Sequence, residues 1–185
     1  YGVLSALVIG SLIPDLWYFL PFATSRHFSH SPAGIVLFCL PAGILLYLLY
    51  HFVLKDLIRN LLPEGWRNRF APSLEPGFPP APWARVALSI LLGSLSHLAL
   101  DSFTHKGGWM VQHVPFLSAS LFPIFTTHAR LYKFLQFGLG IGGTVWVAWW
   151  LVRTHPRLSD STPLTSPTLS AGWRRLSVAA LTGLP

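Results

Sequence analysis

The stretch LLGSLSHLALDSFTHKGG, residues 91–108, decides how the chain is read. It is apolar enough to form a helix in lipid, yet it carries His97, Asp101 and His105 at i, i+4 and i+8. At 3.6 residues per turn these three drift only about 80° around the axis, so they share one face, and Ser94 lies on that face as well. A rise of 1.5 Å per residue sets His97 roughly 12 Å below His105. Ionisable groups inside an apolar span are costly, and by default they mark a functional site.

The rest of the chain agrees with a lipid-embedded reading. Of 185 residues, 52% are apolar and 10% charged, with a mean hydropathy of +0.52. A soluble domain ordinarily carries about 25% charged residues. Six acids and 13 Lys/Arg are too few to cover a water-facing surface, which argues against a soluble enzyme. An aromatic content of 14% excludes disorder. Cys39 is the single cysteine, so neither a disulfide framework nor a cysteine-based zinc module can form. The expected fold is all-α: a polytopic transmembrane helical bundle.

A bilayer core takes roughly 20 apolar residues per helix, which gives four spans, at about 1–22, 32–54, 84–105 and 131–152. Ser31-Pro32 reads as a helix start, because the hydroxyl caps and a proline at the first position needs no donor. The segment from Trp109 to Thr127 is apolar but broken by Pro115 and Pro123, and reads as interfacial or re-entrant. Residues 1–153 then form the transmembrane domain and 154–172 a polar linker. Residues 173–185 read as the start of a truncated fifth span. The chain opens inside an apolar run without Met, which reads as a cut beginning rather than a signal peptide.

Nine basic residues flank or occupy the 56–83 and 153–175 regions, against four elsewhere: Arg26, Lys106, Arg130 and Lys133. That bias predicts a multi-pass protein of the cell membrane, with loops 56–83 and 154–172 cytoplasmic. The 23–31 loop and the 105–130 region then face outward. Basic residues beside apolar spans orient a membrane protein, so the net charge of +7 does not indicate nucleic-acid binding. Membrane lipids are the expected partners, and a homo-oligomer stays open.

The polar residues fall in three places that this topology brings to one leaflet: Asp15 after Pro14, His27 and His30 in a short loop, and His97, Asp101 and His105 in the third span. Imidazole nitrogen with carboxylate oxygen suits a divalent metal, zinc above all, and a catalytic metal keeps one position for water. Asp15, His30, His97 and Asp101 are the expected ligands. His27 and His105 are the expected acid/base groups. Plainer readings stand beside these. His105-Lys106-Gly107 is an ordinary helix end, His30 could serve loop polarity, and His97 with Asp101 could join two helices by hydrogen bonds. His51, His113, His128 and His155 read as loop or interfacial residues.

The strings SALVIGSLIPD, SHSPAGIVLFCLPAGILLYLLYHFVLKDLI, LLGSLSHLALDSFTHKGGWMVQ and LYKFLQ resemble a bacterial membrane family known as domain-of-unknown-function family 4184. They are distantly similar to the membrane-bound metal-dependent hydrolases as well. The matching positions are Pro14-Asp15, His27, His30-Ser31, and Ser96-His97 with Asp101, Thr104 and Gly107. The resemblance implies a metal site. Hydrolysis of a lipid or lipid-linked ester or phosphoester is the function expected from it. The alternative is a non-enzymatic membrane protein, structural or moving protons or metal, whose His and Asp residues join helices.

Overall fold

The computed structural model describes residues 3–19, 26–63, 66, 67, 70, 81–124 and 127–154. These fall into two compact units, one within Tyr1–Tyr47 and Pro80–Trp149, the other within Leu48–Pro79 and Trp150–Pro185. The expected linker and fifth span, from residue 155 on, lie outside the described residues.

Most of the described chain is helical. Helix α1 (Leu4–Leu12) tightens into a 3-10 turn over Ile13–Phe19. Pro14 explains the change, since it lacks the N–H that an α-helix would use there. A one-turn α2 (Arg26–Ser29) leads to α3 (Pro32–Leu61). Helix α4 (Trp83–Thr104) is followed by the short α5 (Trp109–His113) and a 3-10 turn at Pro115–Ser118. A two-stranded hairpin comes next, β1 (Ser120–Ile124) antiparallel to β2 (Thr127–Arg130). Helix α6 (Leu131–Thr154) closes the described chain.

Among the described residues, three helical runs are long and apolar enough to cross a membrane: Pro32–Leu61, Trp83–His113 and Leu131–Arg153. The first apolar run, Leu4–Phe19, is shorter. The helix of the second expected span runs on to Leu61, seven residues beyond Leu54, because neither proline nor glycine interrupts Lys55–Leu61. The all-α expectation needs one correction. Part of the Trp109–Thr127 segment is β-hairpin, paired in the register Ser120↔Arg130 and Ile124↔Thr127 with an irregularity between Ser120 and Phe122. Pro123 is tolerated there because a two-stranded ribbon leaves outward N–H positions unused.

In the first unit α1 lies against α4 with almost no side chain between them. A Cβ on Gly10 would overlap the Ile90 carbonyl, and one on Gly93 would overlap the Leu7 carbonyl. Small residues let backbones approach closely in lipid, where dispersion and interhelical hydrogen bonds hold helices together. Three hydrogen bonds pin the pair. The Val3 amide donates to Ser89 Oγ at 2.9 Å, the Ser94 hydroxyl to the Gly10 carbonyl at 3.0 Å, and His97 Nδ1 to the Ser11 carbonyl at 2.8 Å. Ala6, Ile13, Val86 and Ile90 fill the remaining space and are buried.

Helix α3 carries two wide turns, with Leu40 N–H bonded to the Ile35 carbonyl and Lys55 N–H to that of Tyr50. Such i→i+5 turns interrupt the α-ladder locally. In the second unit Arg59 Nη2 lies 3.3 Å from Asp56 Oδ1. There His51, expected in a loop or at an interface, is buried within α3. A local cluster of Val111, Leu117 and Tyr132 ties α5 and the turn after it to the start of α6.

Candidate metal centre

Each element of the first unit delivers one part of the site. Asp15 follows the buried Ile13 and Pro14, and the fixed φ of proline sets the turn that carries it. His30 stands on a turn locked from several sides. The Ser31 amide and hydroxyl both donate to the Phe28 carbonyl, at 3.0 and 2.7 Å, and Ser31 Oγ accepts from the Gly34 amide at 3.0 Å. That is the cap expected of Ser31-Pro32. Gly34 has no room for a Cβ beside the Phe28 carbonyl. The buried Cys39 thiol donates to the Ser29 carbonyl at 3.6 Å. His97, Asp101 and His105 come from α4 and its C-terminal cap, as their four-residue spacing requires.

The side chains converge. His30 Nε2 lies 3.3 Å from Asp15 Oδ1 and 3.3 Å from Asp101 Oδ2. His97 Nε2 lies 3.5 Å from Asp15 Oδ2 and 3.7 Å from Asp101 Oδ2. Asp15, His30 and His97 offer ligand atoms all within 4.8 Å of one another. Asp101 faces both imidazoles with Oδ2, while its Oδ1 lies 3.1 Å from His105 Nδ1.

Two features fit a cation between these groups. The first is the tautomer of His97. Its Nδ1 faces a carbonyl, which only accepts, so Nδ1 carries a proton and Nε2 is the ring atom turned toward two carboxylates. Among the described residues that buried Nε2 has no hydrogen-bond partner. A ligating histidine typically donates its other N–H to a backbone carbonyl in this way.

The second feature is spacing. Charge-assisted N–H···O bonds run about 2.7–2.9 Å. Atoms bound tetrahedrally to one metal at about 2.1 Å lie about 3.4 Å apart. The four His-to-Asp separations across the centre, 3.3 to 3.7 Å, follow the second spacing. The His105–Asp101 contact at 3.1 Å is closer to the first.

Outer contacts orient the ring of potential ligands. His30 Nδ1 meets Ser29 Oγ at 3.0 Å. His105 Nε2 meets Gln136 Nε2 at 3.3 Å. An amide nitrogen only donates, so His105 accepts there and keeps its own proton on Nδ1, aimed at Asp101. Sequence reasoning missed Gln136 and the Ser11 carbonyl. Gln136 had a signal, since it is the one amide side chain in α6, whereas a backbone carbonyl leaves none. Among the sequence candidates, Asp15, His30, His97 and Asp101 are brought together, and His105 is attached through Asp101. His27 is exposed on α2 and is not among the three residues whose ligand atoms converge.

A cavity of about 590 Å³ opens beside the cluster, reached by His27, His30, Asp101 and His105 and walled by Leu98 and Trp109. A largely helical chain with apolar runs of membrane-crossing length and a His/Asp cluster capable of holding a metal is the class these observations define. The chain belongs to the family described as Domain of unknown function (DUF4184), whose profile matches residues 1–184. Searches of curated proteins and of solved structures find no match.

Proposed function

We propose that the chain is a multi-pass membrane protein that binds one divalent metal on Asp15, His30, His97 and Asp101. Zinc fits this nitrogen and oxygen set best. Its activity is hydrolysis of an ester or phosphoester in a lipid or lipid-linked substrate at the outer leaflet. The spacing of the four side chains carries this reading. Their separations suit a shared cation better than direct hydrogen bonds. The nine-to-four bias of basic residues supports cytoplasmic loops at 56–83 and 154–172, with the cluster at the opposite face.

A bound metal would supply Lewis acidity and lower the pKa of water to about 7. The protein's own residues hold and orient. Ser11 fixes the His97 ring, Ser29 steadies His30, and His105 with Gln136 holds Asp101 at the correct rotation. Both ring nitrogens of His105 are engaged, which suits it to positioning. His27 opens on the cavity, and we assign it the proton transfer to a leaving group.

Elemental analysis of the untagged protein in detergent tests the reading, with His97→Ala and Asp101→Asn measured alongside. About one metal ion per chain is expected for the parent, with less than a tenth of that retained by either variant. A folded parent without metal, or full retention by both variants, would instead make the four side chains an interhelical ion-pair network.

A further inference from the structure

The charges of the first unit are distributed unevenly. Asp15 and Asp101 are the only acidic residues in stretches 1–47 and 80–149, and both enter the cluster. With a divalent cation, two carboxylates and two neutral imidazoles, the centre is electrically neutral. Every remaining charge of the unit is positive.

Four of the five residues that carry them stand on the backbone at the same end as the cluster. Lys106 stands between His105 and Gly107, which both line the cavity. Lys133 sits three residues before Gln136 on α6, hence on its side of the helix, and Gln136 meets His105. Arg130 leads directly into α6, and Arg26 directly precedes the cavity residue His27. Lys106, Arg130 and Lys133 are exposed. The fifth cation, Arg85, lies sixteen residues before Asp101 on α4, about 24 Å away along the axis.

We infer that the reacting group taken by this cavity is a phosphoester rather than a neutral carboxylic ester. The inference rests on the metal reading above and names the substrate class for that site. A phosphomonoester carries roughly 1.5 to 2 negative charges at neutral pH, and the cationic residues neighbouring the cavity draw it to an otherwise neutral centre. A carboxylic ester gains nothing from those charges. Leu98 and Trp109 give the cavity an apolar wall for the chain that bears the phosphate, so the source is a lipid.

The reaction consumes one water. Its oxygen bonds to phosphorus, and the bond from phosphorus to the alcohol oxygen breaks with the electron pair left on that oxygen. One water proton stays on the released phosphate. The other ends on the alcohol, delivered through His27.

Phosphatidate in mixed micelles is a direct probe, because one molecule holds both kinds of bond. The metal-loaded, full-length protein is expected to release inorganic phosphate at least tenfold faster than fatty acid. Each basic group near such a surface is worth about fivefold in affinity. The double variant Lys106→Ala/Lys133→Ala should therefore raise KM about 25-fold while kcat stays within twofold. Inorganic phosphate should also quench fluorescence in the parent but not in Trp109→Phe.

Fatty acid as the main product, a double variant with unchanged KM, or neither quenching nor phosphate release would each overturn the inference. Quenching by phosphate in a protein that holds no metal would support the anion site while removing the metal reading. Equal turnover of glycerol 3-phosphate would keep the phosphoester class and make its source soluble.

Discussion

Helices α4 and α6 have nearly equal mean hydropathy, and both are long enough to cross a bilayer. They are used in opposite ways. In the run Trp83–His113, 28% of the most apolar 18-residue window is buried, whereas none of the corresponding window of Leu131–Arg153 is. Helix α4 faces α1 through glycine and serine, and its His and Asp residues point at two other elements. Helix α6 presents Phe137, Ile141, Val145 and Trp149 outward, and its glycines at 138, 140, 142 and 143 would each accept a Cβ freely. Hydropathy says that a helix prefers lipid to water. It does not say whether a protein neighbour or lipid covers it.

The difference can be broken most severely where α1 meets α4. Gly10→Leu forces a side chain into the Ile90 carbonyl and should cost about 3 kcal/mol, at the upper end of overpacking penalties. Thermal unfolding in detergent reads that loss. Metal content should fall with it, because Asp15 and the carbonyl that holds His97 follow Gly10 on the same segment. A Gly10→Leu protein as stable as the parent would mean that the close approach does not hold the site.

Gln136→Leu comes next and tests the polar tie from α6 to the cluster. Loss of an outer partner typically weakens a metal site 10- to 100-fold. A roughly tenfold drop in metal affinity is expected, with the melting temperature within 2 °C of the parent. The proton on the His105 ring offers a metal-independent check by ¹⁵N NMR. It should sit on Nδ1 in the parent, and Gln136→Glu should shift it toward Nε2 by presenting an acceptor instead of a donor.

Ser94→Ala removes the buried hydrogen bond to the Gly10 carbonyl. Interhelical bonds of this kind are worth about 0.6 kcal/mol, so a small shift in melting temperature is expected with metal retained. The smallest effect belongs to α6. Gly140→Leu meets open space and should change stability by less than about 0.5 kcal/mol. A large loss there would show that α6 has a partner covering that face.

Much of the site was legible because helical spacing is a local property. His97, Asp101 and His105 had to share a face, and Pro14-Asp15 and His30-Ser31 stood out as polar groups at the ends of apolar runs. The hairpin at 120–130 was not legible. Apolar runs broken by proline fit several backbones, and strand pairing depends on which amides find partners. The orienting role of His105 was not legible either, since it needs Gln136 from 31 residues away.

What the sequence determined by itself is the list of apolar helices and the set of side chains too costly to bury without a purpose, because transfer energies and a 3.6-residue period act residue by residue. Which of those side chains meet across different elements was decided by tertiary structure. Asp15 reaches His97 only because Gly10 and Gly93 let two backbones touch. That approach depends on how two distant surfaces fit, and no local pattern encodes it.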